Sequence, residues 1–125
     1  MPGLRAGKID REVVALTADT TLTNNDLGKT FTNRGAAGAI TITLPVASGD
    51  NSGGEIRVRV LADQSVTVIT SPADKLVIIN DAAADSVAFS TSSQKIGGGG
   101  MFESDGTNWF FSNISGGANT VTTAT

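Results

Sequence analysis

Short alternating runs dominate the hydrophobic pattern of this chain. Ala39–Leu44 (AITITL) sets Ile40, Ile42 and Leu44 on one face and Thr41 and Thr43 on the other, which is the two-residue period of a half-buried strand. Pro45 ends that run, because proline has no amide hydrogen to give a ladder. Glu55–Leu61 repeats the alternation with Ile56, Val58 and Val60 inward and Arg57 and Arg59 outward. Ser65–Thr70 follows after a short turn at Ala62–Gln64, and the two runs predict a hairpin. Lys75–Asn80 (KLVIIN) is uniformly apolar at its centre and predicts a strand buried on both faces. Further strands are expected at Glu12–Ala18, Thr20–Thr23, Lys29–Asn33, Ser86–Ser90, Gln94–Ile96 and Met101–Ser104. Asp81–Asp85 reads as one helical turn or a wide loop. Asp105-Gly106, between MFES and TNWFFSN, predicts a type I′ turn. Trp109 and Phe111 then share one face of the last strand and Phe110 takes the other.

No apolar stripe of 3.6-residue period reaches helical length. Nine or ten short strands at spacings of roughly 8–12 residues predict an all-β fold, an antiparallel β-sandwich or jelly roll. The expected organisation is an extended N-terminal arm over 1–12, a β-sandwich domain over 13–114 and an extended, uncharged C-terminal tail over 115–125.

Composition supports this and removes most chemistry. Threonine, glycine, alanine and serine dominate, while charged residues are only 17%, below the usual quarter or so. Small neutral groups must therefore cover much of the surface. The chain has no cysteine, histidine or tyrosine, which excludes disulfides, catalytic triads built on histidine, and nearly every zinc site. Net charge is −3, with no basic footprint for nucleic acid. No apolar run approaches the roughly 20 residues of a membrane span, and the N-terminal residues lack the apolar core of a signal peptide. Synthesis in the cytoplasm is the expectation.

The remaining candidate chemistry is thin. Gly97–Gly100 is followed by Met101-Phe102-Glu103, not by the Lys-Ser/Thr of a phosphate loop, and reads as a flexible approach to the last hairpin. Asp50-Asn51-Ser52 with Glu55 offers oxygen ligands but not the spacing of a calcium loop. Glu12, Glu55 and Glu103 are the chain's only glutamates, and a glycosidase would need two of them in distinct environments. Ser93 and Lys95 stand two apart, a trivial spacing in a strand. No catalytic, cofactor-binding or metal-binding residue is assigned, and the chain is expected not to be an enzyme or to take a small-molecule substrate.

The succession Ala39–Pro45 (AITITLP), Gly54–Val58 (GEIRV), Ser65–Ile69 (SVTVI) and Ser104–Trp109 (SDGTNW) resembles small β-rich modules of tailed-bacteriophage virions. Those modules occur in capsid decoration (cement) proteins and in tail fibres. The resemblance covers about Thr20 to Asn113; the chain departs from it at Phe110-Phe111, where such modules often place tyrosine or valine after the tryptophan. It implies a structural virion protein, a homotrimer on the capsid surface with the major capsid protein as partner, and no nucleic acid or membrane. A short chain beginning with methionine and ending just past the module is expected to be a free-standing decoration protein. The alternative is a tail-fibre or host-adhesion module that binds a surface glycan. For capsid contact the arm residues Leu4, Arg5, Lys8, Ile9 and Arg11 are the candidates. Met101, Trp109 and Phe110 are the candidates for packing between subunits.

Overall fold

The computed structural model describes residues 4–5, 8–9, 11–114 and 120–124. Two strands, β1 (Leu4–Arg5) and β2 (Lys8–Ile9), pair with each other as a small antiparallel ribbon outside the main sheets. The main body begins with β3 (Val13–Ala15), β4 (Thr20–Thr21), β5 (Thr30–Thr32), β6 (Ile40–Thr43), β7 (Glu55–Arg59) and β8 (Val66–Ile69). It continues with β9 (Leu76–Ile78), β10 (Asp81–Ala84), β11 (Ser86–Phe89), β12 (Gly99–Ser104), β13 (Trp109–Asn113) and β14 (Thr122–Ala124). The protein is mostly β, with twelve strands in two main sheets. The seven-stranded sheet has the order β10-β9-β13-β12-β7-β5-β3, and the five-stranded sheet has the order β14-β11-β8-β6-β4. Among the described residues no helix is long and apolar enough to cross a membrane.

Up to β8 the chain alternates between the sheets, so that β3, β5 and β7 lie parallel in one and β4, β6 and β8 parallel in the other. The result is three turns of a flattened coil. Only the later strands add antiparallel neighbours: β12 joins β7 and β13, and β11 joins β8 and β14. An all-antiparallel arrangement is therefore not what forms. The expected hairpin of residues 55–61 with 65–70 is likewise absent, since β7 and β8 belong to different sheets. Alternation dictates that Ile56 and Val58, and Val66 and Val68, point inward; they meet the same core from opposite sides.

That core is one cluster. Ile56, Val58, Phe102 and Trp109 from the larger sheet and Ile42, Val68, Val87 and Phe89 from the smaller are all at most 1% exposed. Phe111 packs on Phe102 in its own sheet and on Phe89 across the core, with ring centroids 5.1 and 6.1 Å apart. Room for the Phe111 ring comes from Gly100, where a Cβ would overlap it. Gly99 and Gly100 are thus buried residues of β12, not a flexible approach. Gly97, with φ of 87°, supplies the left-handed turn just before them.

Other local expectations also change. Residues 81–84 form strand β10, not a helical turn. Residues 94–96 are not a strand; Lys95 instead reaches Asp63 at 3.5 Å. β9 is buried on one face only, with Val77 turned outward at 37% exposure, because the smaller sheet covers one side. The type I′ geometry sits at Ile79-Asn80, whose φ angles are 37° and 61°, linking the paired Ile78 and Asp81. At Asp105-Gly106 only the glycine has positive φ, and a four-residue loop runs between the paired Ser104 and Trp109. The cause is the Asp105 carboxylate, which accepts from the amides of Thr107 and Asn108 at 2.9 and 2.8 Å.

Candidate functional site

Two buried asparagines hold the loops at fixed positions. Asn33, 1% exposed, accepts through Oδ1 from the amides of Leu61 and Ala62 at 2.8 and 2.9 Å. Its Nδ2 donates to the carbonyls of Ala62 and Gln64. Asn51, equally buried, accepts from the Ser48 amide and the Ser104 hydroxyl and donates to Asn24 Oδ1 and the Val46 carbonyl. Every hydrogen-bonding position of Asn51 is occupied, so it is not available as a ligand in the candidate calcium loop. Among the described residues no three carboxylates come together in a way that could hold a metal ion.

Trp109 is completely buried, and its indole Nε1 donates to the Pro45 carbonyl at 2.7 Å. A residue so enclosed offers nothing to a second subunit, which corrects the packing role expected for it. Its alternation partner Phe110 points the other way, onto the outer face of the seven-stranded sheet, where Met101 on β12 is its diagonal neighbour. The structure therefore brings Met101 and Phe110 together and leaves Trp109 on the opposite face.

Glu103 lies directly between Phe110 and Glu55 in that outer row, with Val77 beyond Phe110. Of the three glutamates weighed for glycoside hydrolysis, Glu12 lies by Lys29 at 3.9 Å, while Glu55 and Glu103 are thus cross-strand neighbours. Glu55 is bound by Arg57 at 2.9 Å and by Arg11 at 3.3 Å, and both carboxylates stand on the outer face of a sheet. Arg11 also donates to the Gly28 carbonyl at 3.4 Å, so it ties the start of the main body to β7. The side chains of Leu4, Arg5, Lys8 and Ile9 lie outside what the structure describes, as do residues 115–119.

The two outer faces differ sharply in charge. Strands of the seven-stranded sheet carry Glu55, Arg57, Arg59, Asp81 and Glu103; those of the five-stranded sheet carry no charged residue. Register aligns the outward residues of the smaller sheet into two rows. One row is Thr21, Thr43, Ile69, Ser86 and Ala124; the other is Thr41, Thr67, Ala88 and Thr122. The face is a lattice of hydroxyls and methyls. The strands in the sequence make the threonines of Thr41 and Thr43 legible as outward positions, but only the parallel pairing sets them beside Thr21 and Thr67. At one end this face runs into a depression of about 340 Å³ lined by Thr21, Thr43, Leu44, Pro45, Ile69 and Ser71. Val46 stands at its rim, 61% exposed.

No protein-family model matches the chain, and no curated protein is significantly similar to it.

Proposed function

We propose that this chain is a structural protein of a tailed-phage virion, a decoration protein that binds the outer capsid lattice and stabilises the head. In this reading the two sheets form a sandwich, the copies assemble as homotrimers and the major capsid protein is the partner. The observation that carries it is the segregation of charge between the two sheet faces. A face whose strands carry no charge, with the Asp19 carboxylate bound to the Thr41 amide at one edge, can be buried against protein with few ions to desolvate. The resemblance of the AITITLP, GEIRV, SVTVI and SDGTNW segments to virion modules supports the same assignment. The arm contributes by multivalency: a second weak contact beside the body raises overall affinity without a new fold.

The test is binding to capsid shells assembled from the major capsid protein of the encoding phage. Hundreds of copies should pellet with each shell. A chain starting at Arg11 keeps the Arg11–Glu55 ion pair and the backbone bond from Thr30 to Glu12; it is expected to fold and to bind at least about tenfold more weakly. Failure of the full chain to pellet refutes the assignment. Virions carrying only a few dozen copies, together with glycan binding by the isolated protein, would place it in the tail instead.

A further inference from the structure

Asp105-Gly106 is the chain's only Asp-Gly step, and no Asn-Gly step occurs. Such a step is open to isomerisation because glycine sets no side chain beside its amide nitrogen. That nitrogen attacks Cγ of the neutral aspartyl carboxyl, water leaves, and a succinimide ring closes. Water then reopens the ring at either carbonyl. Opening at the main-chain carbonyl reroutes the backbone through Cβ and Cγ, giving isoaspartate with no net change in atoms. In this fold the attacking nitrogen is already engaged. The Gly106 amide donates to Ser104 Oγ at 3.0 Å. The Ser104 hydroxyl in turn donates to Asn51 Oδ1 at 2.8 Å, so its lone pairs are left to face Gly106. Ser104 and Asn51 are each 1% exposed, and Asn51 is fixed by the Ser48 amide, Asn24 and the Val46 carbonyl. The acceptor therefore cannot follow the nitrogen.

We propose that Asp105-Gly106 is a latent isomerisation site held shut by the Ser104–Asn51 pair, so that isoaspartate forms only when the turn between β12 and β13 opens. Two sets of bonds oppose the reaction. The Gly106 nitrogen has to leave Ser104 before it can reach Cγ. The Asp105 carboxylate has to give up the amides of Thr107 and Asn108, at 2.9 and 2.8 Å, because the oxygen that accepts them sits on the carbon under attack. The Asn108 and Thr107 amides also hold this carboxyl below its ordinary pKa, which keeps the reactive neutral acid scarce at neutral pH. Asp105 is exposed, so water is at hand and only the bonds stand in the way. Isomerisation would lengthen the main chain by a methylene within the loop between the paired Ser104 and Trp109. It would thereby pull on the strand whose tryptophan holds the Pro45 carbonyl. The latch thus keeps the closing hairpin intact over the protein's lifetime, and it does not depend on the virion assignment.

Ageing the full chain at neutral pH and counting isoaspartate at residue 105, by peptide mapping with electron-transfer fragmentation, reads the latch directly. The folded chain should isomerise at least about tenfold more slowly than the same chain in guanidinium chloride. Ser104→Ala removes the acceptor, and a folded variant should isomerise about fivefold faster than wild type. Circular dichroism and the denaturation midpoint establish that it is folded. If Ser104→Ala fails to fold, Asp105→Asn decides, because it removes the charge and keeps the Ser104 acceptor. Its deamidation uses the same attacking nitrogen, with ammonia leaving in place of water, and should also run at least about tenfold more slowly in the folded chain. Equal isomerisation rates in the folded and unfolded chain overturn the proposal. So does a folded Ser104→Ala variant that isomerises no faster than wild type, or deamidation of Asp105→Asn that folding does not slow.

Discussion

Replacing Asn33 by aspartate changes one atom's chemistry in a side chain that is 1% exposed, and the outcome can be worked from its four partners. The Oδ1 side survives: the amides of Leu61 and Ala62, at 2.8 and 2.9 Å, can still donate to a carboxylate oxygen. The Nδ2 side inverts. Two donated bonds, to Ala62 and Gln64 carbonyls at 3.2 and 3.4 Å, become oxygen–oxygen contacts. Each lost bond costs about 1 kcal/mol net. Burying the uncompensated charge brings the total to about 3–5 kcal/mol at neutral pH, a large part of the stability of a domain this size. The partners are all backbone groups, so no amide flip can rescue them. Burial and the two carbonyls raise the folded carboxyl's pKa above its unfolded value. The deficit relative to wild type is then largest above the folded pKa and shrinks as pH falls through it, because the neutral acid can donate to one carbonyl. Asn33→Ala has no such titration and should show a similar deficit at pH 4 and pH 7. Urea unfolding of the three proteins at both pH values provides the measurement. An aspartate variant as stable as wild type at pH 7, or one with the same deficit at both, would refute the reasoning.

Three further outcomes follow from the same kind of geometry. Gly100→Ala should cost about 1–3 kcal/mol by overlap with the Phe111 ring, and the cost should shrink in a Phe111→Ala background; equal costs in both would show that the ring is not the obstacle. Ile79→Asn should raise stability by about 1 kcal/mol, since a β-branched residue at φ of 37° is strained where asparagine is not; a lowered Tm would contradict it. The Asp105 carboxyl is held below its ordinary pKa by the amides of Asn108 and Thr107, so its contribution is present above the unfolded value and is lost as pH falls through the folded one. Wild type should therefore be more stable than Asp105→Ala at neutral pH, and the two should converge below about pH 4. A constant gap would exclude the carboxylate as its source.

Much of the strand content was legible because alternation is a local signal. Ile40–Thr43, Glu55–Arg59, Val66–Ile69 and Ser86–Phe89 lie where the pattern puts them, with the inward set buried. Pairing was not legible. The period of Ile56-Val58-Val60 says which side meets the core, and says nothing about which strand lies alongside. A short turn at residues 62–64 looks like a hairpin, yet it carries the chain across the core to the other sheet. β10 was missed because Asp-Ala-Ala-Ala has weak strand propensity; its place comes from the Ile79-Asn80 turn that returns the chain along β9. The asparagine hubs gave little warning either. Ser48 and Asn51 do have the spacing of a capping box, but Asn33 is marked by no local pattern, since its four partners lie 28 to 31 residues away. The uncharged face was half readable: composition demanded a neutral surface, and parallel register gathered it on one sheet.

The coiled path of the first six main strands bears on when the protein can fold during synthesis. After β8 has emerged, β7 still has one open edge, waiting for β12, and β8 has one waiting for β11. Ile56 and Val58 lie along the first and Val66 and Val68 along the second, and the tryptophan that clamps Pro45 is translated 64 residues after it. The N-terminal half is thus an unfinished template until nearly the whole chain has left the ribosome. Pairing across such distances is slow to close, and open apolar edges in the interval invite association between nascent chains. A protein stalled or truncated before Ser86 would keep both edges exposed, and one stopped before Gly99 would still leave the β7 edge open, which makes either a substrate for chaperones or proteases.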